Sequence, residues 1–331
     1  MKENNESKTS INLTNEKIIT NEKEVSSSKV IIPVAADCGC NLGAIFSCVK
    51  YVSEYGPMYE GVLPIEQYQG WDQDIIDGYV DANGKKVICI MSANEGNLDS
   101  VQAYDSEALT AGAMQKTINS NGQGQFPALV AKFRDAEFAL YEALFVNCGW
   151  TVEGKSNTEA IMYYSDKDIT KGDNKTSIDL KNILRDDSIF NKTNHKKKDK
   201  YSSKPLAVIV RAIKHERFVR FQVRDFINQL NLVLKLKIKI GGKKFLIGDL
   251  VKSNLGQATV VDQYVNRPAY VSTDLQSAIE EYISLKKIVD KDPFLMGEYN
   301  EDYESGFIEI YGNKRRGTDM VKRFNKMKNK V

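Results

Sequence analysis

Histidine is almost missing from this chain, with two residues in 331. Cysteine is sparse and odd in number: Cys38, Cys40, Cys48, Cys89 and Cys148. Two histidines leave little with which to build an imidazole metal centre. The Asp-Cys-Gly-Cys stretch with Cys48 matches no standard zinc spacing, so neither a metal nor another cofactor is expected. The odd cysteine count, and an opening segment without the apolar core of a secretory signal, point to reduced thiols in a protein synthesised in the cytoplasm. No run of about 18 apolar residues occurs, which argues against a membrane-spanning helix. The glycine-rich Asn119–Gln125 lacks the Lys-Ser/Thr of a phosphate loop and the strand–helix setting of a dinucleotide fold. No nucleic-acid-binding motif and no internal repeat is present, so nucleic acid is not an expected partner.

What is there suits a globular body. A chain of 331 residues, 42% apolar, allows one large domain or two medium ones. Residues 1–29 are polar and rich in Asn, Lys, Glu and Ser, and read as a disordered arm or tether. The net charge of +2 hides two strongly basic runs, Asn194–Lys200 and Gly312–Val331. Such runs read as a solvated face or tail, or as an attraction for a polyanion.

From residue 30 onward the reading is mainly α (α+β), with a few short strands. Val30–Ala36 reads as a strand or a docking point for the arm, and Gly43–Gly56 as a short helix. The aromatic residues of Gln67–Asp74 read as packing residues rather than sugar platforms. Val87, Ile90 and Met91 fall at helical spacing within Gly84–Gly96, with Gly96 as the stop. Gln125–Trp150 reads as one helix opened near Pro127, followed by short strands at Trp150 and at Ala160–Asp166. Residues 167–204 form a polar insertion with one amphipathic piece. Pro205–Leu236 is a long helical stretch broken near His215, and the Gly241-Gly242 pair marks a hairpin or loop. One helix ends at Arg267-Pro268 and the next starts from Ser272 or Thr273, capped by that hydroxyl.

The stretch Met91–Gln115 carries two carboxylates in unequal settings. Glycosidic cleavage needs one carboxylic acid to protonate the leaving oxygen, and a second carboxylate that attacks or activates water. Glu95 directly follows an apolar segment, where burial would keep its proton near neutral pH. Asp105 lies in a polar loop beside Tyr104, Ser106 and Glu107, where it would stay ionised as a base. Thr110 offers a hydroxyl to hold the water, and Ala111-Gly112-Ala113 is small enough for a sugar chain to approach. Read without function, Glu95 is a solvated helix end and Asp105 a turn or cap residue.

Lys85–Phe133 resembles the active-site segment of the lysozyme-like superfamily, especially its chitosanase branch. The resemblance rests on "KKVICIMSANEGNLDS", "AYDSEALTAG" with its Thr-Ala-Gly five residues after the aspartate, and "NGQGQFPALVAKF". It implies a lysozyme-like two-lobed fold, with the acid at Glu95, the base at Asp105 and the water-holding threonine at Thr110. "TAGAMQ" is similar to an element of lytic transglycosylases, which puts Gln115 at the cleft wall. Val260–Ile279 is similar to a segment of hydrolases carried by phage tails and contractile injection machines. The Glu-to-Asp interval of ten residues is shorter than in chitosanases, so Asp99 and Glu107 stand as substitutes for the base.

Among other candidates, Tyr104 and Gly112 are expected at the substrate. Asp262, Asn266 and Arg267, at i, i+4 and i+5 of one helix, line a far wall of the cleft, or Arg267-Pro268 simply ends that helix. His215, between Lys214 and Glu216, reads as a rim residue rather than a base. The expected function is hydrolysis of a β-1,4-linked amino-sugar polymer, first of all peptidoglycan (a muramidase). A chitosanase or lytic transglycosylase is the enzymatic alternative. A non-catalytic structural or glycan-binding component of a phage tail or injection machine is the alternative from another class. Without an export signal, such an enzyme reaches the wall after lysis or on a tail or injection particle, with the arm as tether.

Overall fold

The computed structural model describes residues 42–43, 45–51, 54–119, 121–155, 159–164, 177–185 and 200–331. The arm over 1–29, Val30–Ala36, Cys38, Cys40 and much of the polar insertion lie outside these residues.

The first elements, β1 (Phe46–Tyr51) and β2 (Glu54–Tyr59), form an antiparallel hairpin with Cys48 opposite Pro57. A helix was expected here. Phe46 and Cys48 are buried while Ser47 and Val49 are half-exposed, a period of two that fits a sheet with one covered face. Two helices follow, α1 (Trp71–Ile76) and α2 (Ala82–Met91), the second capped by Asp81, which accepts from the Gly84 amide at 2.6 Å. Then β3 (Val101–Gln102), β4 (Leu109–Ala111) and β5 (Lys116–Ile118) extend the sheet as an antiparallel meander from β2.

The single helix expected over Gln125–Trp150 is two: α3 (Gln125–Ala136) and α4 (Phe138–Leu144), broken at Glu137. The break turns Tyr141 and Phe145 toward Phe133 and Phe218, whose rings pack edge-on at 5.0 Å. The two short strands expected next are present as an antiparallel pair, β6 (Trp150–Glu153) and β7 (Ile161–Tyr164). Within the polar insertion, α5 (Ser177–Arg185) buries Leu180 and Leu184, and β8 (Lys200–Tyr201) pairs with β1 at the sheet edge. The insertion therefore contributes to the core.

The long stretch after Pro205 breaks where expected, into α6 (Lys204–Lys214) and α7 (Glu216–Leu234), with His215 extended between them and its Nδ1 accepting from the Arg217 amide. The hairpin β9 (Lys237–Ile240) and β10 (Lys243–Leu246) turns on Gly241 and Gly242, both at positive φ, where a side chain would be strained. The remaining helices are α8 (Ile247–Leu250), α9 (Asn254–Asn266), α10 (Val271–Lys286), α11 (Glu301–Lys314) and α12 (Met320–Lys328). α9 does end before Arg267-Pro268. α10 starts at Val271 without a hydroxyl cap, because burying Val271 sets the boundary, and Thr273 donates instead to the Tyr270 carbonyl.

Two hydrophobic cores result. One joins the sheet, α3, α4, α5 and α6 around Phe126, Phe133, Phe145 and Trp150. The other joins α2, α9, α10, α11 and α12 around Val87, Val261, Phe307 and Phe324. α7 spans both, with Phe218 in the first and Val219 in the second. The chain is mainly α with small antiparallel sheets, and no described helix is long and apolar enough to cross a membrane. The basic run Gly312–Val331, expected as a solvated face or tail, keeps its lysines exposed but packs one side of α12 into the second core. Phe324 and Met327 are fully buried, and Arg315 is 4% exposed.

Candidate active site

The apolar face of α2, Val87, Ile88, Ile90 and Met91, seats the helix in the second core. A 3₁₀ turn over Ser92–Asn94 then carries the chain out, and Glu95 follows in an extended conformation. Its side chain is 3% exposed and is ion-paired with Arg323 of α12. Arg323 also holds Asp262 of α9 at 2.6 Å, and Asp262 holds Arg315 at 2.8 Å. Asn94 closes the cluster: its amide donates to Asp262 and to the Arg323 carbonyl, and its own carbonyl accepts from Arg323. Two buried carboxylates, the buried Arg315 and the half-buried Arg323 thus form one chain of contacts behind the end of α2.

Burial pushes the Glu95 carboxyl up from 4.5 to about 7. Arg323 opposes the shift and Asp262 adds to it. Desolvation is the largest cause, and the opposing Arg323 charge is shared with Asp262. Glu95 therefore holds a proton over much of the range in which a general acid works.

The second carboxylate sits in the β3–β4 connection. Gln102 and Thr110 are direct cross-strand partners, and both donate to Asp105 Oδ2, at 3.3 and 3.4 Å. Asp105 Oδ1 accepts from the Glu107 amide at 3.0 Å. Arg185 of α5 fastens the same connection by donating to the Ala103 and Asp105 carbonyls. Burial raises the Asp105 pKa, and the Glu107 amide, Thr110, Arg185 and Gln102 pull against it. The loop is less open than expected: three hydrogen bonds and the charge of Arg185 favour the Asp105 carboxylate against its burial.

A cleft of about 250 Å³ brings Glu95, Gln102 and Thr110 together, with Tyr59, Glu60 and Gln115 also lining it. Asp105 lies behind Gln102 and Thr110. Two larger grooves, of about 410 and 420 Å³, flank Arg217 and Arg220 but contain none of Glu95, Asp105 and Thr110. Chemistry, not size, singles out the smaller one. In the larger grooves Arg217 is paired with Glu137, and Arg220 and Arg224 with the fully buried Asp74.

The other expected residues fall in various places. Gln115 is exposed, at φ 49°, and lines the cleft. Tyr104 is half-buried and lies outside the cleft lining. Gly112 has φ 75°, and a Cβ there would come within 2.1 Å of Gln222 Oε1, so its smallness serves the packing of α7 against the turn. Asp262 was expected on a cleft wall; at 0% exposure it backs Glu95 instead, because two arginines draw it inward. Asn266 and Arg267 are exposed beyond it and do not line the cleft. Asp99 is fully buried and clasps the Val62 and Leu63 amides at 2.8 and 2.9 Å, which leaves it no access to a base's role. Glu107 is half-buried beside Asp105 and does not line the cleft, and His215 caps α7.

Sequence reasoning missed Glu60, which no motif marks, and Arg315 and Arg323, which stood in a run that looked like a solvated tail. Among the described residues, no group of three or more His, Cys, Asp and Glu is placed to hold a metal ion. Compared with known proteins, the chain matches no family model, no curated protein and no solved structure.

Proposed function

We propose that the protein is a glycoside hydrolase that cleaves β-1,4 linkages of an amino-sugar polymer, first of all peptidoglycan. The observation that carries this reading is Glu95: a buried carboxyl with a pKa of about 7, opening onto a cleft shared with a threonine that is hydrogen-bonded to a second carboxylate. Glu95 gives its proton to the glycosidic oxygen as the C–O bond breaks. A water held by the Thr110 hydroxyl attacks the anomeric carbon; its proton passes to the Thr110 oxygen as the hydroxyl's own proton moves to Asp105 behind it. A water attacking from the face of the sugar opposite Glu95 gives inversion. A lysozyme-like fold belongs to the same reading. It is supported by two cores meeting along one long helix, and by an acid at a helix end followed by an antiparallel meander bearing the base. Delivery to the wall after lysis, or on a tail or injection particle through residues 1–29, completes it.

A chitosan substrate is the second reading. The cleft lining holds two carboxylates, Glu60 and Glu95, and no cation, which suits a positively charged sugar. Digestion of purified cell wall and of chitosan by wild type and Glu95→Gln tests both. Release of reducing ends from one substrate only, abolished by the substitution, supports hydrolysis and names the polymer. A 1,6-anhydro product identifies a lytic transglycosylase. Activity that survives Glu95→Gln refutes the acid, and binding without cleavage favours a glycan-binding component.

A further inference from the structure

Besides Lys322 and Lys326 of the C-terminal run, a second cluster of basic residues faces solvent. Lys235, Lys237, Lys239, Lys243 and Lys244 lie within ten residues, all exposed. None has a carboxylate within ion-pair distance among the described residues; Asp249 and Glu298, acids nearby in the chain, pair with none of them. The β9–β10 register puts Lys239 directly opposite Lys244, and Lys237 two residues away on the same face. The other face holds Ile238 and Ile240, each 2% exposed in the second core. The hairpin is therefore a rigid mount with one cationic side.

That arrangement costs stability, since like charges directly opposite one another on a sheet repel. One lysine is enough to blunt an exposed edge. Three on one face, with a fourth leading in at Lys235, make a field that an anion relieves. The hairpin also stands away from the cleft. Leu230 of α7 packs near Gly84 at the start of α2, so β9 begins close to that end, while Glu95 lies beyond the other end of a ten-residue helix, about 15 Å in length.

We propose that the outer face of this hairpin, Lys237, Lys239 and Lys244, is a docking ridge for a linear phosphodiester polymer carried by the cell wall. This rests on the wall being the substrate. Lysines are point charges that bind phosphate without reading its surroundings. Successive cations on one strand stand about 6.5–7 Å apart, a ladder for a chain with one charge per repeat. The face has no aromatic or arginine side chain to stack on bases or read their edges, which argues against nucleic acid. Its apolar neighbour, Leu246 opposite Lys237, is half-buried rather than free to enter a bilayer, which argues against lipid.

The test is co-sedimentation of full-length protein with purified cell wall, before and after its phosphodiester polymers are stripped with hydrofluoric acid. It is run in a Glu95→Gln background so that the wall survives. Stripping, or the triple substitution of Lys237, Lys239 and Lys244 by Glu, should each weaken binding at least about tenfold. The triple Gln variant should fall between, and the binding should decline steeply with salt. With Glu95 restored, the triple variants should digest stripped wall as the wild type does. Unchanged binding after stripping or after substitution overturns the proposal. So does equal, lysine-dependent binding to duplex DNA or to anionic vesicles. Sedimentation reads docking without cleavage, so failure of the hydrolase reading shows separately, as intact glycan in the digestion assay.

Discussion

Replacing Glu95 by Gln should make the protein more stable at neutral and alkaline pH while abolishing its activity. Below about pH 4.5 the carboxyl is protonated in both the folded and the unfolded chain, so variant and wild type should unfold alike. As the pH rises, the unfolded carboxyl ionises first while the folded one resists until about 7. Wild type loses stability over that interval and then levels off. A shift from 4.5 to about 7, at about 1.36 kcal/mol per pH unit, amounts to about 3 kcal/mol. The attraction of Arg323 is already contained in that shift. Gln keeps a carbonyl for Arg323 to donate to and carries no charge to desolvate, so it escapes the loss. A gain of about 1–3 kcal/mol at pH 8 is the expected range, or a few degrees in melting temperature for a chain of this size.

Denaturant titrations of both proteins at pH 4, 6 and 8 measure this directly. The difference should be absent at pH 4 and largest at pH 8. If Glu95→Gln is instead the less stable protein at pH 8, the ion pair with Arg323 outweighs burial. The carboxyl is then ionised at neutral pH, and the case for Glu95 as a proton donor fails with it.

Asp105→Asn and Thr110→Val should each lower the turnover of purified glycan, by about 100-fold and 10–100-fold, with small changes in melting temperature. If Glu60→Gln is the variant that loses activity, the base lies on the cleft surface instead. Arg323→Ala leaves Asp262 with Arg315 alone and should cost about 3–5 kcal/mol in stability. It should also move the alkaline limb of the rate profile to higher pH, since a cation that lowers the Glu95 pKa is gone; Arg323→Lys should fall between. Gly112→Ala combines a left-handed backbone with a clash against Gln222 and should destabilise by about 1–3 kcal/mol, as measured by denaturant midpoint.

Much of the site was legible where one local rule dominates. The apolar stripe of α2 places Glu95, and the polar stretch around Asp105 is the connection that brings Thr110 opposite Gln102. The break at His215 and the double-glycine hairpin were equally readable. Elsewhere two periods competed. Phe46–Tyr51 has enough apolar residues for either helix or strand, and only the covering of one face by the rest of the chain selects the strand. The tail misled most. Arginine in a lysine-rich run looks solvated, yet Arg315 and Arg323 sit among Met320, Phe324 and Met327, whose helical spacing was the signal for a packed face. Asp262 shows the same limit from the other side: a carboxylate on a helix looks like a cleft residue until its two cations are found 53 and 61 residues further along.

That separation bears on how the site forms. Glu95 and its partner Arg323 are 228 residues apart, and the helix bearing Arg323 is held by Phe324 and Met327 in the second core. The acid's environment is therefore complete only when α12 docks. A partly folded chain with α2 in place but α12 loose would have a solvated Glu95 with an ordinary carboxylate pKa and no reserve of protons at neutral pH. Activity should thus follow the docking of α12 rather than the formation of the sheet that carries Asp105. Phe324→Ala, which opens a large cavity in the second core at a cost of about 3–5 kcal/mol, touches no cleft residue. It should nevertheless shift the alkaline limb of the rate profile toward lower pH at temperatures well below global unfolding. A profile that keeps its shape until the whole protein melts would show that Glu95 owes its proton to α2 alone.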